Sequence, residues 1–245
     1  QKEEPAMGQD LSPVDIAKKA AADHAATYVE DGMKVGLGTG STAAWLVRRL
    51  GERRRDEGLQ VTAVATSSQT ESLAREVGLA TSTLDAAGWL DLTIDGADEF
   101  DGAFALIKGA GGALLQEKVV AMASDRMVVI ADPTKDVAQL GAFPLSIEVL
   151  EFGRQSTTTL ISQALEKLGL PGREITLRMA GEVPFVTDEG NRILDLHLHK
   201  IADAAALSVA LNQIPGVVEN GLFVGICDTV VIGQEDGTVE VRHLD

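Results

Sequence analysis

The chain has 245 residues, 45% hydrophobic and 24% charged, with 37 acidic against 21 basic side chains and a formal charge of −16. That length suits one large domain or two modest ones, and the apolar share is that of a globular protein. The acidic excess excludes a broad nucleic-acid or anionic-membrane surface, because both need a basic face to displace counterions. An anionic ligand would have to find a local positive field inside a negative molecule.

No apolar run approaches the roughly 18 residues of a transmembrane helix, and the opening residues lack the apolar segment of a signal peptide. The chain therefore reads as soluble and cytoplasmic, with residues 1–6 a dispensable tail before Met7. Its one cysteine, Cys227, stands in an apolar stretch and reads as a buried thiol, and no Cys/His spacing suits zinc.

In chain order, Ser12-Pro-Val-Asp15 has the capping residue, the first-turn proline and the acid of a helix start, and the helix is expected to reach Val29. Strand Lys34–Leu37, a glycine-rich turn and a helix from Thr42 follow. The pattern repeats with strand Val61–Thr66, helix Gln69–Val77, a short strand at Leu79–Thr83, strand Leu90–Ile94, helix Ala113–Ser124 and strand Met127–Ala131. Strands that alternate with helices, several of them continuously apolar, predict a parallel sheet covered on both faces.

From Leu145 the rhythm becomes β-α-β-β-α-β: strand 145–151, helix 157–168, strands 174–179 and 192–198, helix 204–214 and strand 217–222. That order is ferredoxin-like. Segments 228–233 and 238–242 are expected to rejoin the first sheet. The reading is thus an α/β protein, a Rossmann-like doubly wound, mostly parallel sheet formed by 1–144 and 222–245, with an inserted ferredoxin-like α+β domain at 145–221.

Three loops carry chemistry. Gly36-Leu-Gly38-Thr-Gly40-Ser-Thr42 joins a strand to a helix, where glycines let amides approach a phosphate and Thr39, Ser41 and Thr42 add hydroxyls at a positive helix end. Ser41 stands where a dinucleotide fingerprint needs glycine, no acid ends the second strand, and no Gly-Lys-Ser/Thr is present. A monophosphate cradle remains, against the plainer alternative of a tight turn. Asp95-Gly-Ala-Asp98-Glu99 follows a strand end, where a parallel sheet faces its ligand crevice; soluble turn residues are the alternative.

Lys108-Gly-Ala-Gly-Gly112 precedes a helix, an arrangement that can hold a developing oxyanion, and Glu117 lies one turn in, suited to abstract a proton beside a carbonyl. A surface glutamate on an amphipathic helix is the competing reading. Lys108, Lys135 after the strand ending at Ala131, and Lys18 on the first helix are candidates for the local positive field.

These residues resemble the A-type ribose-5-phosphate isomerases. The motifs are G-L-G-T-G-S-T at 36–42, D-G-A-D-E at 95–99, K-G-A-G-G-A-L-L-Q-E-K at 108–118, I-A-D-P-T-K at 130–135 and I-P-G-V-V at 214–218. The resemblance implies interconversion of D-ribose 5-phosphate and D-ribulose 5-phosphate through a cis-enediolate, in the non-oxidative pentose phosphate pathway, with no cofactor and no metal.

It further implies that Thr39, Gly40, Ser41 and Thr42 hold the phosphate. Asp95, Gly96, Ala97 and Asp98 would meet the sugar, the two acids assisting ring opening or proton shuttling. Lys108 and the amides of Gly109, Ala110 and Gly111 would stabilise the enediolate, Glu117 would be the base and Lys135 a further ligand. A homodimer or homotetramer is implied, with a small-molecule sugar phosphate as partner, and no nucleic acid or membrane.

Ala110 departs from the glycine of many relatives, with little effect expected because its amide is what is needed. Competing readings are a lactonase or amino-sugar-phosphate deaminase on a similar scaffold, expected to lack the joined Lys-Gly…Glu-Lys element, and a non-catalytic sugar-phosphate sensor, which would not need Glu117. Asp195, His197 and His199 alternate along one strand as a possible metal trio, with exposed strand side chains or interface residues as the plainer reading.

Overall fold

The computed structural model describes residues 11–244, so the expected tail and the start at Met7 lie outside the described residues. The first elements are α1 (Pro13–Ala26), β1 (Lys34–Leu37), α2 (Ser41–Glu57), β2 (Thr62–Ala65), α3 (Ser68–Glu76), β3 (Ala80–Thr81), α4 (Leu84–Ala87) and β4 (Leu92–Gly96). They are followed by β5 (Glu99–Phe100), β6 (Leu106–Ile107), α5 (Leu114–Met122), β7 (Met127–Ala131), β8 (Leu145–Val149), α6 (Arg154–Lys167) and β9 (Glu174–Leu177). The last are β10 (Met179–Ala180), β11 (Val183–Pro184), β12 (Arg192–His197), α7 (Ala204–Asn212), β13 (Val217–Asn220), β14 (Leu222–Phe223), β15 (Thr229–Gly233) and β16 (Val239–His243).

Packing divides the chain into two compact units. One comprises the segment ending at Gly96, Val119–Lys135 and the segment from Cys227; the other comprises Ala97–Lys118 and Asp136–Ile226. The expected boundaries fell instead at 144/145 and 221/222. Residues 97–107 join the second unit because β5 and β6 form a small antiparallel sheet with β14, and Glu99 accepts the Gly141 and Phe143 amides at 2.7 and 2.5 Å, which draws the 141–143 segment in as well.

The first unit holds a seven-stranded sheet in the order β16-β15-β7-β4-β1-β2-β3, parallel throughout except for β16. Every residue of β7 and β15 is buried, as expected of strands covered on both faces, and their sequences Met-Val-Val-Ile-Ala and Thr-Val-Val-Ile-Gly are correspondingly apolar. Helix α1 opens as expected on the Ser12 cap and buries Ala17, Ala21, Ala22 and Ala25. Small residues let it approach closely: a Cβ on Gly233 of β15 would lie 1.8 Å from the Ala17 carbonyl oxygen. The helix ends at Ala26 rather than Val29, because Tyr28 and Val29 donate three residues back, to Ala25 and Ala26, and tighten the last turn.

Strand β4 runs Leu92–Gly96 instead of 90–94. Asp95 and Gly96 pair with Val129 and Ile130 of β7, which carries Asp95 inside the sheet.

In the second unit β13-β8-β12-β9 form an antiparallel sheet, with α6 following β8 and α7 following β12, which is the ferredoxin-like order. Leu145, Ile147, Val149, Leu194 and Leu196 share a core with Ile161 of α6 and Leu207 of α7. Alternation places Ser146, Glu148 and Asp195 on the opposite, polar face. The hairpin β10–β11 is an addition that the sequence reading did not anticipate.

Candidate active site

In the first unit the parallel strands β2, β1, β4 and β7 end together, with Leu37 level with Ala65 and Ile94, and Gly96 level with Ile130. Their carboxyl ends present the Gly38–Gly40 turn, Thr66 and Ser67, Asp95, and the 3₁₀ turn Pro133–Lys135. Gly40 caps α2 with φ +113°, a backbone that disfavours any side chain, and no side chain caps that helix. The first α2 amides thus have no side-chain cap and stand at the positive end of the helix dipole, an arrangement suited to an anion. Lys18 of α1 donates to Ser41 Oγ at 3.0 Å, which places an ammonium at the same helix start.

Asp95 is fully buried under this turn: its Oδ1 accepts Thr39 N at 3.1 Å and Gly96 N at 2.7 Å. Thr39 Oγ1 lies 2.8 Å from both Thr66 Oγ1 and Ser67 Oγ, while Thr70 Oγ1 donates to Gly38 O at 3.0 Å. This hydroxyl cluster was missed in the sequence. Its signal is the polar end Thr66-Ser67-Ser68 of the second strand, whose hydroxyls face Thr39 only once the strands are paired. Lys135 lies half-buried in its turn, anchored by its amide on Asp132 O at 3.1 Å.

The second unit brings together Asp98, Lys108, the Gly109–Gly112 loop and Glu117. Lys108 and Glu117 are 3% and 4% exposed, and Lys108 Nζ lies 3.3 Å from Glu117 Oε1. Phe223 closes one side, with Lys108 Nζ 5.6 Å and Lys118 Nζ 4.9 Å from its ring centre. Lys118 turns away from the pair, donating to Glu219 at 2.8 Å and Asn220 O at 2.6 Å; burial lowers its pKa, opposed by Glu219.

Gly109 and Gly112 have φ +123° and +76°, and a Cβ on them would come within 2.7 Å of Ser146 and 2.4 Å of Phe185. The loop is therefore obligately glycine at both ends. The Ala110 amide donates to Asp98 Oδ2 at 2.9 Å, and the Gly112 amide to Gly109 O at 3.0 Å. Glu117, expected on a helix and open to the reading of a surface residue, is thus a buried carboxylate paired with a buried ammonium one turn into α5.

Asp195 does not join the two histidines; it ion-pairs with Arg178, while His197 Nε2 meets Thr176 Oγ1 at 3.0 Å. Among the described residues no group of three His, Cys, Asp or Glu could hold a metal ion, and no helix is long and apolar enough to cross a membrane. Cys227 is buried, and burial pushes its thiol up to about 12, which leaves it unreactive near neutrality.

A parallel α/β sheet whose strand ends carry a hydroxyl-rich glycine turn, together with a buried Lys108–Glu117 ion pair beside a second glycine loop, marks the class of α/β protein suited to sugar-phosphate chemistry. Residues 62–237 match the family model of ribose 5-phosphate isomerase A (phosphoriboisomerase A). Ribose-5-phosphate isomerase A of Roseobacter denitrificans is 65% identical over 239 residues, covering 98% of this chain and 91% of that protein; the Cereibacter sphaeroides (strain ATCC 17025 / ATH 2.4.3) protein is 64% identical over 97% and 95%.

The solved ribose 5-phosphate isomerase of Plasmodium falciparum superposes with a TM-score of 0.88 at 35% identity, over 94% of this chain and 98% of that one. A D-ribose-5-phosphate isomerase solved with phospho-erythronic acid gives 0.86 at 36% identity, over 94% and 99%. The chain belongs to the ribose-5-phosphate isomerase A family. It is an aldose–ketose isomerase that interconverts ribose 5-phosphate and ribulose 5-phosphate.

Proposed function

We propose that the interconversion runs through a cis-enediolate with Glu117 as the base, and that it serves the non-oxidative pentose phosphate pathway. The observation that carries this reading is the buried Lys108–Glu117 pair, 3.3 Å apart, beside a glycine loop. In the open-chain aldose the C2 proton passes to Glu117, and the electrons move onto the C1 oxygen. Lys108 and the Gly109 and Gly111 amides stabilise that charge; Glu117 returns the proton at C1 while the C2 hydroxyl proton passes to the C1 oxygen, which leaves the carbonyl at C2 and a hydroxyl at C1. Donors fixed before the reaction cost no reorganisation as charge develops.

The phosphate is held by Gly40, Ser41, Thr42 and the α2 amides, with Lys18 and Lys135 supplying charge. Thr39, whose hydroxyl is turned to Thr66 and Ser67 and whose amide is held by Asp95, shapes the turn that presents Gly40 and Ser41 rather than donating to the phosphate itself. Asp98, partly exposed, assists ring opening; the fully buried Asp95 mainly fixes the cradle from below, with Gly96 and Ala97 lining the sugar. No metal or organic cofactor takes part, and the protein acts in the cytoplasm as a homodimer or homotetramer.

A coupled or NMR assay of ribose 5-phosphate isomerisation after exhaustive chelation with EDTA tests both main claims. Wild type retains full activity, and Glu117→Gln loses about 10² to 10⁴ in turnover with KM little changed. Strict metal dependence would defeat the metal-free mechanism, and wild-type turnover in the variant would defeat the base. Light scattering at micromolar protein decides the oligomer.

A further inference from the structure

The carbonyls on the back of the glycine loop are gripped by one guanidinium. Arg178, between β9 and β10, donates from Nη1 to Gly109 O at 2.6 Å and Ala110 O at 3.2 Å. Its Nε donates to Asp195 Oδ2 at 2.9 Å, and its Nη2 to Ser146 Oγ at 2.7 Å and to Asp195 Oδ1. All the N–H donors of a guanidinium are thereby used. Ser146 Oγ also donates to Asp195 Oδ1 at 3.1 Å, which ties β8 to β12 at the anchor. The Arg178 and Asp195 side chains are 15% and 16% exposed, so this bidentate pair is well shielded from water.

A trans peptide is planar, with its N–H opposite its C=O. Pinning Gly109 O therefore aims the Ala110 amide away from Arg178, and pinning Ala110 O does the same for the Gly111 amide. The Ala110 amide reaches Asp98 Oδ2, so the same grip sets that carboxylate. A cation on a carbonyl also polarises the N–H of the same peptide and makes it a stronger donor.

We infer that Arg178 is a positioning residue for the isomerisation, held by Asp195 and Ser146, which aims the Gly111 amide at the enediolate charge and sets the Asp98 carboxylate through the Ala110 amide. The inference rests on the reading of this loop as the enediolate site. A lysine cannot substitute, because its point charge has no fork to span a carboxylate and two carbonyls together.

The test compares Arg178→Lys, Arg178→Ala and Asp195→Asn with wild type, each checked for an unchanged far-UV spectrum and melting temperature. Arg178→Lys should lose about 10² in kcat, the scale of one lost oxyanion donor, with KM for ribose 5-phosphate within about threefold. Its affinity for phospho-erythronic acid, whose planar carboxylate imitates the enediolate, should fall by a similar factor. Turnover of Arg178→Ala should recover with ethylguanidinium and not with ethylammonium. Should the arginine variants fail to fold, Asp195→Asn decides, with a drop of about tenfold in kcat at unchanged KM.

Wild-type kcat in Arg178→Lys, a loss confined to KM, or rescue by either cation alike would each overturn the inference. Glu117→Gln assayed in parallel separates this from the function itself: an inactive Glu117 variant beside a fully active Arg178→Lys leaves the isomerase mechanism standing and removes only the positioning role.

Discussion

At Gly38 the turn between β1 and α2 has no room for a single added carbon. A Cβ there would sit 1.9 Å from Asp95 Oδ1, the atom that accepts the Thr39 amide, and 2.6 Å from the Asp95 Cα, so neither side chain nor backbone can yield cheaply. Gly38→Ala should raise KM for ribose 5-phosphate at least about tenfold and lower the melting temperature, on the scale of an overpacked core substitution of about 1–3 kcal/mol. Gly102→Ala is the matched control, because a Cβ there meets nothing within 4 Å. Steady-state kinetics and thermal melts of the two variants check this; equal effects would show that the close approach at Gly38 is irrelevant. The glycine motif could be read from the sequence, whereas its partner Asp95 lies far along the chain and could not be paired with it there.

At the scale of an element, the start of α3 serves two purposes. Ser67 caps it, accepting the Thr70 amide at 3.1 Å, and its Oγ also receives Thr39 Oγ1 at 2.8 Å. Ser67→Ala should cost about 1 kcal/mol of stability and raise KM while sparing kcat; an unchanged KM would assign Ser67 to the helix alone.

Strand β8 makes a different prediction. Glu148 is fully buried; its Oε1 accepts Thr187 Oγ1 at 2.8 Å and Asn191 Nδ2 at 2.9 Å, while Oε2 makes no hydrogen bond among the described residues. Burial pushes its carboxyl up, outweighing those two hydrogen bonds, which lower it. A raised folded pKa means that the native state binds more protons than the unfolded chain. Stability then falls as pH rises from the ordinary carboxylate pKa to the folded one, and is level above it. Glu148→Gln should remove that slope. Chemical denaturation of both proteins between about pH 4 and 8 would show it, and parallel pH profiles would count against it.

For the whole molecule most of the charge of −16 lies on exposed side chains, since among the described residues only Asp95, Glu99, Glu117, Asp132 and Glu148 are buried acids. Screening that self-repulsion should raise the melting temperature between about 0.05 and 0.5 M NaCl, over which the Debye length drops from roughly 14 to 4 Å; a flat response would mean the acids are too far apart to matter.

The alternating β-α rhythm, the ferredoxin-like order after Leu145 and the three glycine or acid loops were all legible in the sequence, because periodicity and strand-end motifs are local. Among the two-residue strands, β5, β6, β10, β11 and β14 have no period to read and, unlike β3, follow no helix of a β-α repeat, so the small sheets and the division between the packed units were not legible. By itself the sequence determined the fold class and the isomerase family, and it pointed to Glu117, Lys108 and Asp98 as the residues to test. Only the tertiary structure decided that Asp95 lies buried beneath Thr39, that Thr66, Ser67 and Thr70 support the cradle, and that Arg178 grips the loop from 69 residues away. Each of those depends on hydrogen bonds between groups remote in the chain, and long-range pairing leaves no periodic trace in one sequence.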